Sequence, residues 1–106
     1  MFVARWVVEA KFGHKDNVIA LCTRWQKEVG DEAGLKVQKR ALSGSVGVAE
    51  ARLEFESQVA SLAELEEIWS KMAKYPAHKQ FGIDLEPHII SGSNHWEILR
   101  VVEGYA

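Results

Sequence analysis

An α+β sandwich, with one four-stranded antiparallel sheet and both helices on one face, is predicted by three features of this 106-residue chain. The hydrophobic period switches in the order strand, helix, strand, strand, helix, strand. The segment Glu50 to Glu56 alternates charged and apolar residues without exception, so one side meets a core and the other something polar. No linker or low-complexity tract interrupts the order, which makes 1–106 a single domain.

Phe2 to Lys11 reads as the first strand, with Phe2, Ala4, Trp6, Val8 and Ala10 on an apolar side and Val3, Arg5, Val7, Glu9 and Lys11 on a mixed one. After Gly13 the period becomes helical: Val18, Leu21, Cys22, Trp25 and Val29 form one stripe between His14 and Val29, with Gly30 and Gly34 as terminators. Leu35 to Leu42 is a second strand, and its cations Lys36, Lys39 and Arg40 suit a sheet edge. Turn residues at Ser43 to Gly47 lead into a third strand, Val48 to Glu56, making a hairpin. Ser61 and Glu64 fit a capping box ahead of Leu62, Leu65, Ile68, Trp69 and Met72 at helical spacing. Pro76 ends or kinks that helix, and Ala77 to Leu85 resumes it with His78, Phe81 and Leu85 on one side. His95 to Glu103 is the last strand. This β-α-β-β-α-β order is that of a ferredoxin-like sandwich, in which the first and third strands are central neighbours. Arg5, Glu9 and Lys11 then share the helix-free face with Arg52, Glu54 and Glu56, a mixed face suited to a dimer interface.

Composition excludes several function classes. Hydrophobic residues make up 47%, charged residues 26%, and the formal net charge is -2 with both signs interspersed. That balance offers neither the basic stripe of a nucleic-acid binder nor a polybasic membrane anchor. The single Cys22 rules out an intramolecular disulfide and a cysteine-based zinc site, and fits a reducing cytoplasmic setting. No apolar run approaches the roughly 20 residues of a membrane span, and the amino-terminal residues lack the pattern of a signal peptide.

Three stretches together resemble the dimeric α/β-barrel superfamily, which includes NIPSNAP-type proteins, antibiotic-biosynthesis monooxygenases and haem-degrading enzymes. They are the strand running through Gly13 into an amphipathic helix (EAKFGHKDNVIALCTRW), the strand and Ser-containing turn before a Trp-bearing helix (LEFESQVASLAELEEIW), and the Pro76-Ala77-His78 break. The resemblance covers nearly the whole chain and implies a homodimer through the open sheet faces, with a pocket between sheet and helices. The haem-degrading members use an Asn on the first strand with a Trp and a His on the second helix. Trp69 and His78 correspond to the last two, but Ala4, Arg5 and Trp6 stand where the Asn would be, so no haem or other cofactor is expected.

Candidate residues divide accordingly. Trp6, Trp25, Trp69 and Phe81 are candidates to line a pocket for a small apolar or aromatic molecule, against the blander reading that each simply packs the core. His78 and His95 are the candidate proton carriers of an enzyme of the monooxygenase type. His95 and Glu97 share a strand side, and the favoured alternative places them in a dimer interface with Trp96, Ile98 and Val102 in the core. Arg5, Glu9, Arg52 and Glu54 are the charges expected at that interface. His78, His88 and His95 have no metal-ligand spacing, and no metal is expected. Cys22 lies on an apolar stripe and reads as inert. The functional alternatives are thus a small-molecule binder, a cofactor-independent enzyme, and a structural or regulatory dimer without ligand.

Overall fold

The computed structural model describes residues 1–105. Its elements run β1 (Phe2–Glu9), α1 (Lys15–Trp25), a π turn (Gln26–Gly30), α2 (Asp31–Ala33), β2 (Val37–Ser43), β3 (Arg52–Val59), α3 (Leu62–Met72), α4 (Pro76–Leu85), a 3-10 turn (Glu86–His88) and β4 (His95–Arg100). The four strands form one antiparallel sheet in the order β2-β3-β1-β4. The predicted ferredoxin-like α+β architecture is the observed one, with β1 and β3 central and the cationic β2 at an edge. No helix among the described residues is long and apolar enough to cross a membrane.

Several boundaries move, each for a local reason. The first helix does not stop at Gly30. It passes through the π turn to Ala33 and closes at Gly34, whose φ of 107° is the left-handed terminator conformation. Gly30 is instead buried within the helix. A Cβ there would lie 2.6 Å from the Gln26 side chain and 2.9 Å from the Trp25 ring, so glycine permits a close approach at this point. The third strand begins at Arg52 rather than Val48, because 44–51 form the hairpin loop. Gly44 donates to the Arg52 carbonyl at 2.8 Å, and a Cβ on it would meet the Ala49 carbonyl. Ser61 caps α3 by accepting from the Glu64 amide at 3.1 Å, while Glu64 accepts from the Ala60 amide rather than the Ser61 amide. Pro76 does not kink α3; it opens α4 as a first-turn residue, where its missing N–H is no loss. Leu62, placed on the apolar stripe of α3 by spacing, is exposed.

Two hydrophobic clusters fill the layer between sheet and helices. Ala4, Val29, Ala33, Leu35, Val59, Leu65, Ile68 and Met72 form one, and Val8, Ala10, Val18, Cys22, Leu53, Leu85 and Ile89 the other. On β1 the helix-facing residues are Ala4 in the first cluster, Val8 in the second and the half-buried Trp6 between them. Ile98 is partly exposed, and Val102 lies outside β4 and is exposed, so neither joins the core as expected.

The opposite face of the sheet carries one continuous ion-pair network. Arg40 and Arg5 both bond Glu56, the latter at 2.8 Å. Arg5 reaches Glu54 at 3.4 Å, and Arg52 donates to Glu54 at 2.8 Å. Arg52 approaches Glu97 at 3.8 Å, and His95 Nε2 lies 3.0 Å from Glu97. The strand register sets this up: Arg5 sits between Glu56 on β3 and Glu97 on β4, and Val7 between Glu54 and His95. Val7 is buried among these charges. Glu9 is opposite Arg52 in register but joins no ion pair among the described residues, and Lys11 lies beyond the strand. Glu56 is more buried than Phe55, although the two keep the opposite sides that the alternation assigns them. Burial pushes its carboxyl up, but the hydrogen bonds from Arg40 and Arg5 outweigh that and hold it below the usual carboxylate range. Its stabilising contribution is therefore complete above the unfolded value of about 4.3 and is lost as acid protonates the folded carboxyl. Glu56→Gln should cost about 1–3 kcal/mol at neutral pH, discounted for its partly exposed arginine partners, and far less in acid. Urea unfolding at both pH values checks this; an equal cost in both would mean that the charge is not what stabilises.

Candidate functional site

A cavity of about 800 Å³ lies between the two hydrophobic clusters. All four tryptophans line it, Trp6 from β1, Trp25 from α1, Trp69 from α3 and Trp96 from β4, together with Phe55 and Phe81. The rings meet as tilted pairs. Trp6 lies 6.2 Å from both Phe55 and Phe81, Phe81 lies 5.8 Å from Trp25, and Trp69 lies 5.5 Å from Trp96. The exposed lining residues Ile19 and Thr23 of α1, and Lys39 and Ala41 of β2, put its mouth between that helix and the edge strand. At Val37 to Arg40 the β2–β3 register shifts, and Gln38 takes a φ of 52°. Around this bulge, at the sheet edge, Lys39, Arg40 and Glu56 also border the cavity.

Polar groups in the cavity are few and specific. The Trp25 indole N–H donates to His78 Nδ1 at 3.0 Å. Since an indole nitrogen can only donate, His78 Nδ1 must accept, which fixes the neutral ring as the Nε2–H tautomer. Burial also lowers the His78 pKa, reinforcing the neutral form. Trp69 buries its indole N–H with no hydrogen-bond partner among the described residues. Such an orphan donor costs about 1–3 kcal/mol and calls for an explanation. Ser57 is buried and spends its hydroxyl on the Val37 carbonyl at 2.8 Å. The Gln26 amide donates to Asp31 at 2.8 Å and to the Leu35 carbonyl at 2.6 Å, tying the π turn to the start of β2. Lys39 pairs with Asp31 at 2.8 Å, and the hydrogen bonds from Lys39 and Gln26 lower the Asp31 pKa. Burial pushes the Cys22 thiol up to about 12, so it is an inert wall residue.

The residues picked from sequence thus fall into two separate places. Trp6, Trp25, Trp69, Phe81 and His78 share the cavity. His95 does not: it lies on the other face of the sheet, with Arg5, Arg52, Glu54 and Glu97. The two candidate proton carriers are therefore on opposite sides of a sheet. The hydrogen bond to Glu97, with one that His95 donates to the Ser93 carbonyl, raises the His95 pKa, and the His95–Glu97 bond lowers that of Glu97. Phe55, Trp96 and Met72 are lining residues that the sequence reading left in the core. Alternation and helical spacing point a side chain inward without saying whether the space ahead of it is filled.

An iron ligand needs a free lone pair, and the Trp25 donation occupies the one on His78 Nδ1 while leaving Nε2 protonated. The haem arrangement thus lacks a ready ligand in addition to its missing Asn.

Among solved structures, the chain is similar to a NIPSNAP family protein from Agrobacterium tumefaciens, with 16% identity over 97% of this chain and 94% of that one and a TM-score of 0.79. An uncharacterised NIPSNAP domain protein from Burkholderia xenovorans matches at 12% identity over 100% and 99%, TM-score 0.77. An antibiotic biosynthesis monooxygenase matches at 11% over 96% and 99%, TM-score 0.68. The shared fold is ferredoxin-like. This is the fold implied by the resemblance to the dimeric α/β-barrel superfamily, and identities this low carry the fold and nothing further. No family model and no curated protein sequence matches the chain.

Removing the indole N–H should release His78. In Trp25→Phe the neutral ring loses the hydrogen bond that favours it and gains access to water, so its titration should move to higher pH, as followed by imidazole proton resonances. An unchanged titration would mean that the bond does not hold the tautomer.

Proposed function

We propose that the chain binds a planar, largely apolar small molecule in the cavity between sheet and helices, with an acceptor oxygen facing the Trp69 N–H. The observation that carries this reading is an aromatic-walled space of about 800 Å³ lined by Trp69, whose buried indole donor has no partner among the described residues. A volume of that size lies within the range of roughly 300–1,000 Å³ for small-molecule sites, which are mainly apolar with a few polar anchors. Flat aromatic ligands suit it because tilted indoles present both faces and edges. Binding is favoured over catalysis by the state of His78. With Nε2 protonated it can donate to a ligand oxygen but cannot take a proton there, and His95 is on the wrong face to help. An activity like that named for the monooxygenase neighbour would need a base from elsewhere.

Titration with 1,4-naphthoquinone, followed by quenching of tryptophan fluorescence, tests the proposal. Saturable one-to-one quenching is expected, weakened about three- to tenfold in Trp69→Phe as one hydrogen bond is lost. Linear, non-saturating quenching would remove the ligand reading.

We further infer a homodimer through the open sheet face. Val3, Leu42 and Leu99 give that face apolar area, and its arginines are already matched by glutamates, which lowers the cost of covering it. Light scattering should give about twice the 11.9 kDa chain mass, and a monomer mass at micromolar concentration would contradict it.

A further inference from the structure

We propose that His14 and His88 form a two-imidazole site for a divalent transition ion of the zinc type, independent of the cavity and of its proposed ligand. Their Nδ1 atoms face each other at 2.9 Å although the residues are 74 positions apart. Both side chains are half-buried, open enough for an ion with its remaining waters. The backbone holds both in place through one residue. Lys11 donates its N–H to the His88 carbonyl at 3.0 Å and accepts from the His14 N–H at 2.9 Å. His14 is fixed again by the Val18 amide, which donates to its carbonyl at 3.1 Å as α1 begins. The rings thus converge on a scaffold of strand end, helix start and 3-10 turn, instead of meeting as flexible surface groups.

Two nitrogens at this separation share a single proton: one ring donates through Nδ1–H and the other accepts. An ion replaces that proton with little movement. Zinc binds imidazole nitrogen at about 2.0–2.1 Å, so two ligands of a tetrahedral ion stand about 3.3–3.4 Å apart, about half an ångström beyond the present contact. The ring that now donates gives up its Nδ1 proton and takes one at Nε2, so both rings remain neutral and no proton is lost overall. Water completes the coordination. The ion would then staple the β1–α1 turn to the segment leading from α4 into β4. No spacing motif signals this pair, since the two residues meet only through the Lys11 backbone.

The test is a zinc chloride titration of the full chain labelled with 15N-histidine at about pH 7.5, read by long-range imidazole correlations. Before zinc, one of the two rings should be the Nδ1–H tautomer. With zinc, His14 and His88 should both become Nε2–H rings with metal-bound Nδ1, while His78 and His95 stay put. His14→Gln and His88→Gln should each weaken zinc binding by at least about tenfold, since one of two ligands is lost. No change in any ring on adding zinc, or changes confined to His78 or His95, would overturn the proposal. Because that readout uses the unaltered chain, it stands even where a variant folds poorly.

Discussion

The indole of Trp6 is the constraint on which the arrangement turns. It sits mid-way along a central strand, flanked in register by Phe55 on β3 and Trp96 on β4. The helix-facing residues two positions either side of it, Ala4 and Val8, are small and fully buried. At those ends the helices close onto the sheet and form two dense clusters. In the middle, three large aromatic residues stand abreast, and the two clusters remain separate over them. The cavity is the space this leaves. Trp25, Phe81 and Trp69 from the helical layer complete its walls.

The other side of the same strand solves a different problem. Charged residues on a central strand would be costly if buried singly. Here Arg5 lies between Glu54 and Glu56, and Arg52 between Glu54 and Glu97, so each of these arginines has opposite charges beside it. The alternating segment supplies three members of this network, Arg52, Glu54 and Glu56. One strand pair thus carries a packed aromatic layer on one side and a matched ionic layer on the other.

The sequence made the architecture legible because periodicity reports which way side chains point. The β-α-β-β-α-β order, the edge position of β2 and the Ser61 cap all follow from local pattern. What it could not report were contacts between distant segments. Glu56 and Phe55 alternate correctly, yet the glutamate is the more buried because Arg5 and Arg40 fold over it. Gly30 looked like a terminator, but its role is to admit the Trp25 ring and the Gln26 side chain within a continuing helix. The Trp25–His78 bond joins residues 53 positions apart and has no sequence signal. Alternation and helical spacing do point Trp6, Trp25, Trp69 and Phe81 inward. Whether they enclosed space or filled it depended on the side-by-side placement of Trp6, Phe55 and Trp96, which only the strand register reveals.

That this space is a ligand site and not a loosely packed core is tested most directly by a crystal structure of the protein equilibrated with 1,4-naphthoquinone. The expected result is a planar molecule among Trp6, Trp25 and Trp96 with an oxygen within hydrogen-bond distance of Trp69 Nε1. An empty, collapsed layer in which the indoles pack against one another and Trp69 Nε1 finds a protein partner would contradict it.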